Sequence, residues 1–184
     1  MGHTYDQIPI HKIEDQPTMI SKTKEVLTQF LGAAPSGWLG PGRGQTWTTL
    51  DHVAAGGFTW FGDWVMDDQP FWVRTAHGPI LSVPYSAELN DITIMITGLH
   101  ESDAMLKRVK DAFETMYKES AKGARILAFG VHPYVSGAAH RIKYFDAMLA
   151  YLRKHKDVLV WNGGQIRDWF ARELARPETV LLVA

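Results

Sequence analysis

Apolar residues recur along this chain at two alternating spacings, one helical and one extended. Positions three or four residues apart, on an otherwise polar background, predict amphipathic helices because such positions share one helical face. The predicted helices cover residues 14–31, 46–55, 102–120, 141–155 and 164–174. In the first helix, Gly32 provides a stop. The apolar face predicted for that helix comprises Ile20, Val26, Leu27, Phe30 and Leu31.

Short apolar runs lie between these helices and predict buried strands. The predicted strands cover residues 58–61, 80–83, 92–96, 126–131 and 158–161. These runs are apolar throughout, as expected when both faces of a parallel sheet are covered by helices. Residues 33–44 are rich in Gly and Pro and predict a loop. The pattern therefore predicts an α/β fold in a single domain over residues 1–184.

Composition narrows the classes of function. The 19 Lys and Arg residues nearly balance the 20 Asp and Glu residues, which gives no electrostatic basis for binding nucleic acid. The absence of Cys excludes disulfides and thiolate nucleophiles. No apolar run approaches the ~20 residues of a membrane span, and the start of the chain lacks a signal-peptide pattern. We therefore expect a cytoplasmic protein without a membrane partner.

Polar residues directly after apolar runs are the first candidates for chemistry, because parallel α/β sheets bind ligands at the carboxyl ends of their strands. Asp63, Tyr85, Asn90 and His132 occupy such positions. His132 precedes Pro133, which restricts the backbone before it, and a His there suits acid–base work or metal ligation. The alternative is a hydrogen-bonded His that caps a strand end.

Other candidates also have structural alternatives. Arg43 lies in the glycine-rich loop, where it either binds a carboxylate or is a solvated loop residue. Asp63-Trp64 either orients a His or Arg or caps the following turn. Trp38 and Trp64 either stack on a flat ligand or pack in the core.

Together these segments resemble the NodB-type polysaccharide deacetylases, and more closely their allantoinase-like branch. Gly2-His3-Thr4 is similar to the second family motif, in which a His ligates metal. Metal-dependent members carry another His four residues later, where this chain has Gln7. The resemblance implies either a divalent metal such as zinc, with His3 as a ligand, or no metal, with His3 contacting substrate.

The later motifs follow in family order. Arg43 lies in a segment similar to the third motif, whose Arg orients a catalytic Asp, and Asp63-Trp64 resembles the fourth region. Residues 84–91 look like a segment of the allantoinase-like branch, and residues 127–133 match the fifth motif, whose His is a general acid. The resemblance implies His132, Arg43 and Asp63 as catalytic residues. It implies substrate contacts at His3, Trp38, Trp64, Tyr85 and Asn90.

The first family motif, an Asp-Asp pair that supplies the base and a metal ligand, has no counterpart before His3. Asp67-Asp68 falls in the fourth region and does not replace it. The resemblance therefore implies an incomplete (β/α) barrel that lacks its first strands. Either a partner subunit covers the open sheet edge, or the sequence lacks the N-terminal part of the natural protein. We expect self-association through that edge, and so a homo-oligomer.

The implied activity is hydrolysis of a linear C–N bond in a small molecule, either an N-acetylated sugar or a ureide. We expect this activity to be impaired if the first motif is missing. The alternative is a non-catalytic protein of the same fold that binds a ligand or supports assembly.

Overall fold

A computed structural model describes residues 8–173, in which the chain forms two compact units. The first unit contains residues 8–64, 70–83 and 161–173, and the second contains residues 65–69 and 84–160. The helices are α1 (Gln16–Leu31), α2 (Thr49–Ala55), α3 (Ala104–Glu119), α4 (Pro133–Ser136), α5 (Ile142–Leu152) and α6 (Gly163–Glu173). The strands are β1 (Gly37–Trp38), β2 (Trp60–Phe61), β3 (Phe71–Val73) and β4 (Ile80–Ser82). None of these helices is long and apolar enough to span a membrane.

The first unit contains a sheet in the order β1-β2-β4-β3. Strands β1, β2 and β4 are parallel, and β2 and β4 confirm the strands predicted around residues 58–61 and 80–83. Strand β3 is antiparallel to β4, so the sheet is mixed and the prediction of a purely parallel sheet was wrong. Strand β1 lies inside the predicted loop, because pairing with β2 supplies order that its glycine-rich sequence does not predict.

Helix α1 begins and ends as its sequence predicts. The Asp15 carboxylate accepts a hydrogen bond from the backbone N–H of Thr18 at 3.1 Å, and Gly32 ends the helix with φ 73°. The predicted apolar face was wrong except at Ile20. The buried positions are Gln16, Met19, Ile20 and Thr23. Phe30 is 85% exposed, because only the first half of the helix packs on the core.

The core of the first unit contains one close packing arrangement that depends on glycine. The Trp60 indole lies against the backbone of Gly37 in β1 and of Gly163 at the start of α6. A Cβ atom at either glycine would overlap the indole ring. The Trp60 Nε1–H donates to Ser36 Oγ at 3.3 Å. Trp60 therefore anchors α6 on the sheet only because both glycines lack a side chain.

The second unit is mainly helical. Helices α3 and α5 pack together around Met105, Val109, Phe113 and Met148, which are buried. The strand predicted over residues 92–96 was wrong, because Ile92–Thr97 is a π-helical segment. Its first N–H groups bond to the Asn90 side chain, so a local cap overrides the β-branched sequence.

The strands predicted over residues 126–131 and 158–161 were also wrong. Residues 126–131 form no regular strand and make one parallel bridge, between Asn90 and Gly130. Residues 158–161 form no regular strand in the described chain, and Val160 is 76% exposed. Apolar sequence alone does not make a strand where no neighbouring strand supplies hydrogen bonds.

Candidate functional site

His132 forms a close pair with Asp91 in the second unit. His132 Nδ1 lies 2.6 Å from Asp91 Oδ1, and Asp91 is fully buried whereas the His132 side chain is 35% exposed. Asp91 Oδ2 accepts hydrogen bonds from the His132 backbone N–H and from Ser136 Oγ, both at 2.7 Å. A buried carboxylate that orients an imidazole is the arrangement that acid–base catalysis uses.

The charge state of Asp91 determines which His132 nitrogen carries the proton. Burial alone would raise the pKa of Asp91, but hydrogen bonds from the backbone and ring of His132 and from Ser136 together lower it. An ionised carboxylate only accepts hydrogen bonds, so Nδ1 of His132 must donate. Nε2 is then the nitrogen that remains for a ligand.

Asp91 and Ser136 are functional candidates that sequence reasoning missed. Asn90 was chosen at that strand end, but its neighbour Asp91 makes the contact with His132. The sequence does indicate that Ser136 lies near His132, because residues four positions apart face the same side of a helical turn. Only the fold brings Asp91 to that turn, across 41 positions of the chain.

Tyr85 and Asn90 lie together beside Gly130. Asn90 Nδ2 donates to the Tyr85 hydroxyl at 2.9 Å, and Asn90 Oδ1 accepts from the backbone N–H of Ile92 at 3.0 Å. A Cβ atom at Gly130 would lie 2.5 Å from Asn90 Nδ2. The Asn90 amide is therefore engaged in holding Tyr85 and capping the π-helical segment.

In the first unit, Asp63 follows β2 and lies in a hydrogen-bonded chain. Its Oδ1 accepts from the backbone N–H of Gly40 at 2.7 Å, and its Oδ2 accepts from Gln45 Nε2 at 2.8 Å. Gln45 Oε1 in turn accepts from Trp64 Nε1 at 2.8 Å. Gln45 is thus a third residue that the sequence does not indicate, because nothing in the loop sequence shows that its amide joins Asp63 to Trp64.

Burial changes the acidity of Asp63. The side chain is 4% exposed, and this desolvation raises its pKa to about 6, against the opposing effects of Gln45, Gly40 and the Arg43 charge. Arg43 is half-buried and has φ 59°, a left-handed conformation that residues with side chains seldom adopt. A carboxylic acid that titrates near neutral pH is suited to acid–base or orienting roles.

The two candidate tryptophans have different surroundings. Trp38 is fully buried and packs edge-on against Phe58, which agrees with the core-packing alternative, and its role as a substrate contact stays a prediction. Trp64 is half-buried and lines an open groove of about 670 Å³. Trp47, which is 91% exposed, lines the same groove. Its other lining residues are Gln45, Thr46, Leu50, Asp51, Val73, Arg74, Thr75 and Ala76.

The remaining candidate, His3, lies outside the described residues. Within residues 8–173, no three His, Asp or Glu side chains come together as a set of metal ligands. The described residues therefore do not fit a metal centre by themselves.

Comparisons with known proteins connect this arrangement to a family. No family model matches the chain. A curated protein of Schizosaccharomyces pombe, named "Putative polysaccharide deacetylase", is 29% identical over 118 residues, which are 58% of this chain and 37% of that protein. The PuuE allantoinase structure superimposes with a TM-score of 0.84 at 27% identity, covering 94% of this chain and 58% of that one. The chain is similar in sequence and fold to polysaccharide deacetylases.

Two further solved structures have a similar fold. A "probable Polysaccharide deacetylase" of Pseudomonas aeruginosa PAO1 gives a TM-score of 0.81 at 27% identity, covering 91% of this chain and 57% of that one. A Mycobacterium smegmatis structure described with the same family name, at 21% identity, shares the fold with a TM-score of 0.83 and covers 99% of this chain and 66% of its own. The predicted α/β fold of the polysaccharide deacetylases is confirmed. The chain spans 37% of the curated relative and 57–66% of these solved structures.

Proposed function

We propose that this protein is a hydrolase of linear C–N bonds in a small molecule, either an N-acetylated sugar or a ureide. The observation that carries the proposal is the pair of a buried Asp91 and a partly exposed His132 at 2.6 Å. Its relationship to polysaccharide deacetylases and its structural similarity to an allantoinase support a reaction at an amide-like bond.

His132 would act as the general acid that protonates the leaving nitrogen. Water adds to the carbonyl carbon and releases one proton to solvent, the C–N bond then breaks, and its electron pair stays on the leaving nitrogen. Since Asp91 holds Nδ1, the imidazolium of His132 donates its Nε2 proton to that nitrogen, and Asp91 stabilises the imidazolium before transfer. No step of this mechanism passes through a divalent metal such as zinc, because the described residues offer no cluster of ligands for one.

Asp63 and Arg43 are proposed as orienting groups of the first unit. Asp63 has its pKa raised to about 6 by burial and receives hydrogen bonds from Gly40 and Gln45. The positive charge of Arg43 favours the ionised form of Asp63. Both properties support a role in acid–base chemistry near neutral pH.

Tyr85 and Trp64 are proposed as substrate contacts, each within its own unit. Asn90 orients the Tyr85 hydroxyl through its amide, so its contribution to binding would be indirect. Trp64 lines the open groove, where it and Trp47 offer apolar rings and the polar residues around them offer hydrogen bonds. His3 is kept as a proposed substrate contact or metal ligand on the family resemblance.

The test of the reaction is turnover by the full chain and by His132→Gln. N-acetylated oligosaccharides and allantoin-like ureides should be assayed for release of acetate or ureide cleavage, with and without added zinc. We expect His132→Gln to lower kcat at least ~100-fold with little change in KM, since general acid catalysis contributes about 10²–10⁴-fold. His140→Gln, at an exposed His of the same unit, is the matched control.

Equal turnover by wild type and His132→Gln would contradict the role of His132. No turnover of either substrate class by wild type, with or without zinc, would contradict the hydrolase proposal. Saturable ligand binding without turnover would instead favour the second candidate, a non-catalytic binding protein, which the open groove with the exposed Trp47 favours.

We further propose that the protein works in the cytoplasm as a homo-oligomer, with one domain over residues 1–184. The exposed apolar side chains of α1 support self-association. Fluorescence microscopy of the tagged protein tests the location, because a signal confined to a membrane or to the medium would contradict it.

A further inference from the structure

Asp91 holds both ends of helix α4, which is a single turn. Its Oδ2 accepts from the backbone N–H of His132, the residue before the helix, and from the hydroxyl of Ser136, the last residue in it. Its Oδ1 is used by the His132 ring. One buried carboxylate therefore receives three hydrogen bonds, and two of them come from the residue whose ring it orients.

The Ser136 hydroxyl is unusual for its surroundings. Ser136 is 5% exposed and its neighbour Val135 is fully buried in the core of the second unit. A buried hydroxyl costs free energy unless it makes a hydrogen bond, and the bond that Ser136 makes is to Asp91 at 2.7 Å. The position thus carries a polar group in an apolar setting, and that group is directed at the carboxylate of the His132 pair.

The bond limits how the Asp91 carboxylate can turn. With Ser136 and the His132 backbone both donating to Oδ2, rotation of the carboxylate would break two hydrogen bonds at once. The orientation of Oδ1 is fixed by the same constraint, and with it the direction of the His132 ring. Without the Ser136 hydroxyl, the carboxylate would keep only the two donors of His132 and could tilt about them. A small displacement of an acid–base group lowers the rate strongly.

We propose that Ser136 is a positioning residue: its hydroxyl fixes the Asp91 carboxylate, so that His132 keeps its proton on Nδ1 and presents Nε2 to the substrate. The effect on turnover rests on the proposed hydrolase function. The effect on the His132 tautomer does not, because the hydrogen bonds that produce it are present without substrate. The two can therefore fail separately.

The experiment compares Ser136→Thr with Ser136→Val in the full chain. Threonine and valine have nearly the same shape and differ by the hydroxyl, so any loss of packing is common to both. The tautomer of His132 is measured by long-range ¹H–¹⁵N correlation spectra, recorded at a pH at which the imidazole ring is neutral. Ser136→Ala adds the simple deletion, and Ser86→Ala, which removes a different serine hydroxyl in the same unit, is a control.

We expect the wild type and Ser136→Thr to hold His132 in the Nδ1–H tautomer. Ser136→Val and Ser136→Ala should show a mixture of the two tautomers, with kcat lowered roughly tenfold and KM changed less than about twofold. Ser86→Ala should match the wild type. A purely structural role for Ser136 would destabilise the protein without changing the tautomer in the folded fraction.

The proposal is overturned if Ser136→Val keeps the wild-type tautomer, or if Ser86→Ala alters it as much. It is also overturned if wild-type His132 carries its proton on Nε2, a result that requires no variant to fold. If the wild type hydrolyses none of the substrates, the proposed function fails but the tautomer comparison still decides the role of Ser136. If turnover depends on His132 but not on the residue-136 hydroxyl, the proposed function survives and this inference fails.

Discussion

Asp63 shows how burial can set the chemistry of one residue. Its pKa is raised to about 6 although it receives two hydrogen bonds and lies in the field of Arg43. Desolvation outweighs these favourable interactions because the side chain is 4% exposed. Asp91 is fully buried and has its pKa lowered, because it has three donors. The balance between desolvation and the hydrogen bonds and charges around each carboxylate thus separates two buried residues that sequence position alone would treat alike.

The raised pKa of Asp63 predicts a pH dependence of stability. Between about pH 4 and pH 6 the folded protein binds more protons at Asp63 than the unfolded chain, whose Asp has a pKa of 3.8. The contribution of Asp63 to the free energy of unfolding should therefore fall by ~3 kcal/mol as pH rises through that window. The lowered pKa of Asp91 acts in the opposite direction, but at lower pH. Urea denaturation at pH 4 to 8 measures the change.

Asp63→Asn is the variant that isolates this effect. It should remove the fall in stability across the same window, whereas Asp111→Asn, at an exposed carboxylate of α3, should leave the pH profile as in the wild type. A wild-type profile that is parallel to that of Asp63→Asn throughout would show that Asp63 does not titrate with a raised pKa.

Trp47 carries a second prediction at the residue scale. Its indole is 91% exposed at the rim of the groove, so we expect Trp47→Ala to preserve the fold but to weaken substrate binding roughly tenfold. Calorimetric titration with the substrate identified by turnover measures this loss. Phe30→Ala removes another exposed ring of the same unit, away from the groove residues, and should bind as the wild type does. If Trp47→Ala and the wild type bind the substrate with equal affinity, the proposal that substrate binds in this groove is contradicted.

At the scale of elements, glycines decide how helix α6 packs. Gly163→Ala should destabilise the first unit by ~1–3 kcal/mol, because the added methyl group overlaps the Trp60 indole. The neighbouring Gly164→Ala is a matched control, since its Cβ would meet nothing closer than Asn162 Oδ1 at 3.2 Å. Alanine also favours a helix more than glycine does. Thermal unfolding of both variants should give a clearly lower Tm only for Gly163→Ala, and equal values would contradict this account of the packing.

The strands and the π-helical segment show where sequence patterns fail at this scale. Strand β1 lies in a Gly- and Pro-rich stretch that predicts a loop, and β3 lies in a three-residue apolar run, shorter than the four-residue segments that predicted β2 and β4. Residues 92–96 have the β-branched composition of a strand, yet they follow Asn90, whose side chain caps a helical turn. In both cases a hydrogen bond from another part of the backbone or from a side chain decided the structure.

At the scale of the whole molecule, the predicted homo-oligomer can be tested directly. Phe30 and Leu31 are 85% and 60% exposed, and β1 is an edge strand of the sheet within residues 8–173. Exposed apolar area and an edge strand both favour self-association. We expect light scattering coupled to size exclusion to give a mass of at least twice 20.7 kDa. A monomer over the whole accessible concentration range would contradict the prediction.

The sequence by itself determined the α/β fold class, the approximate boundaries of the longer helices and the choice of His132 and Asp63 as candidate site residues. These features depend on local periodicity, capping and motifs, which are readable from neighbouring positions. Only the tertiary structure decided that Asp91 and Ser136 join His132, that Gln45 joins Asp63 and Trp64, and that Trp38 is buried. Those contacts join residues that are distant in the sequence. They depend on how the helices and strands pack, and a local sequence pattern does not contain that information.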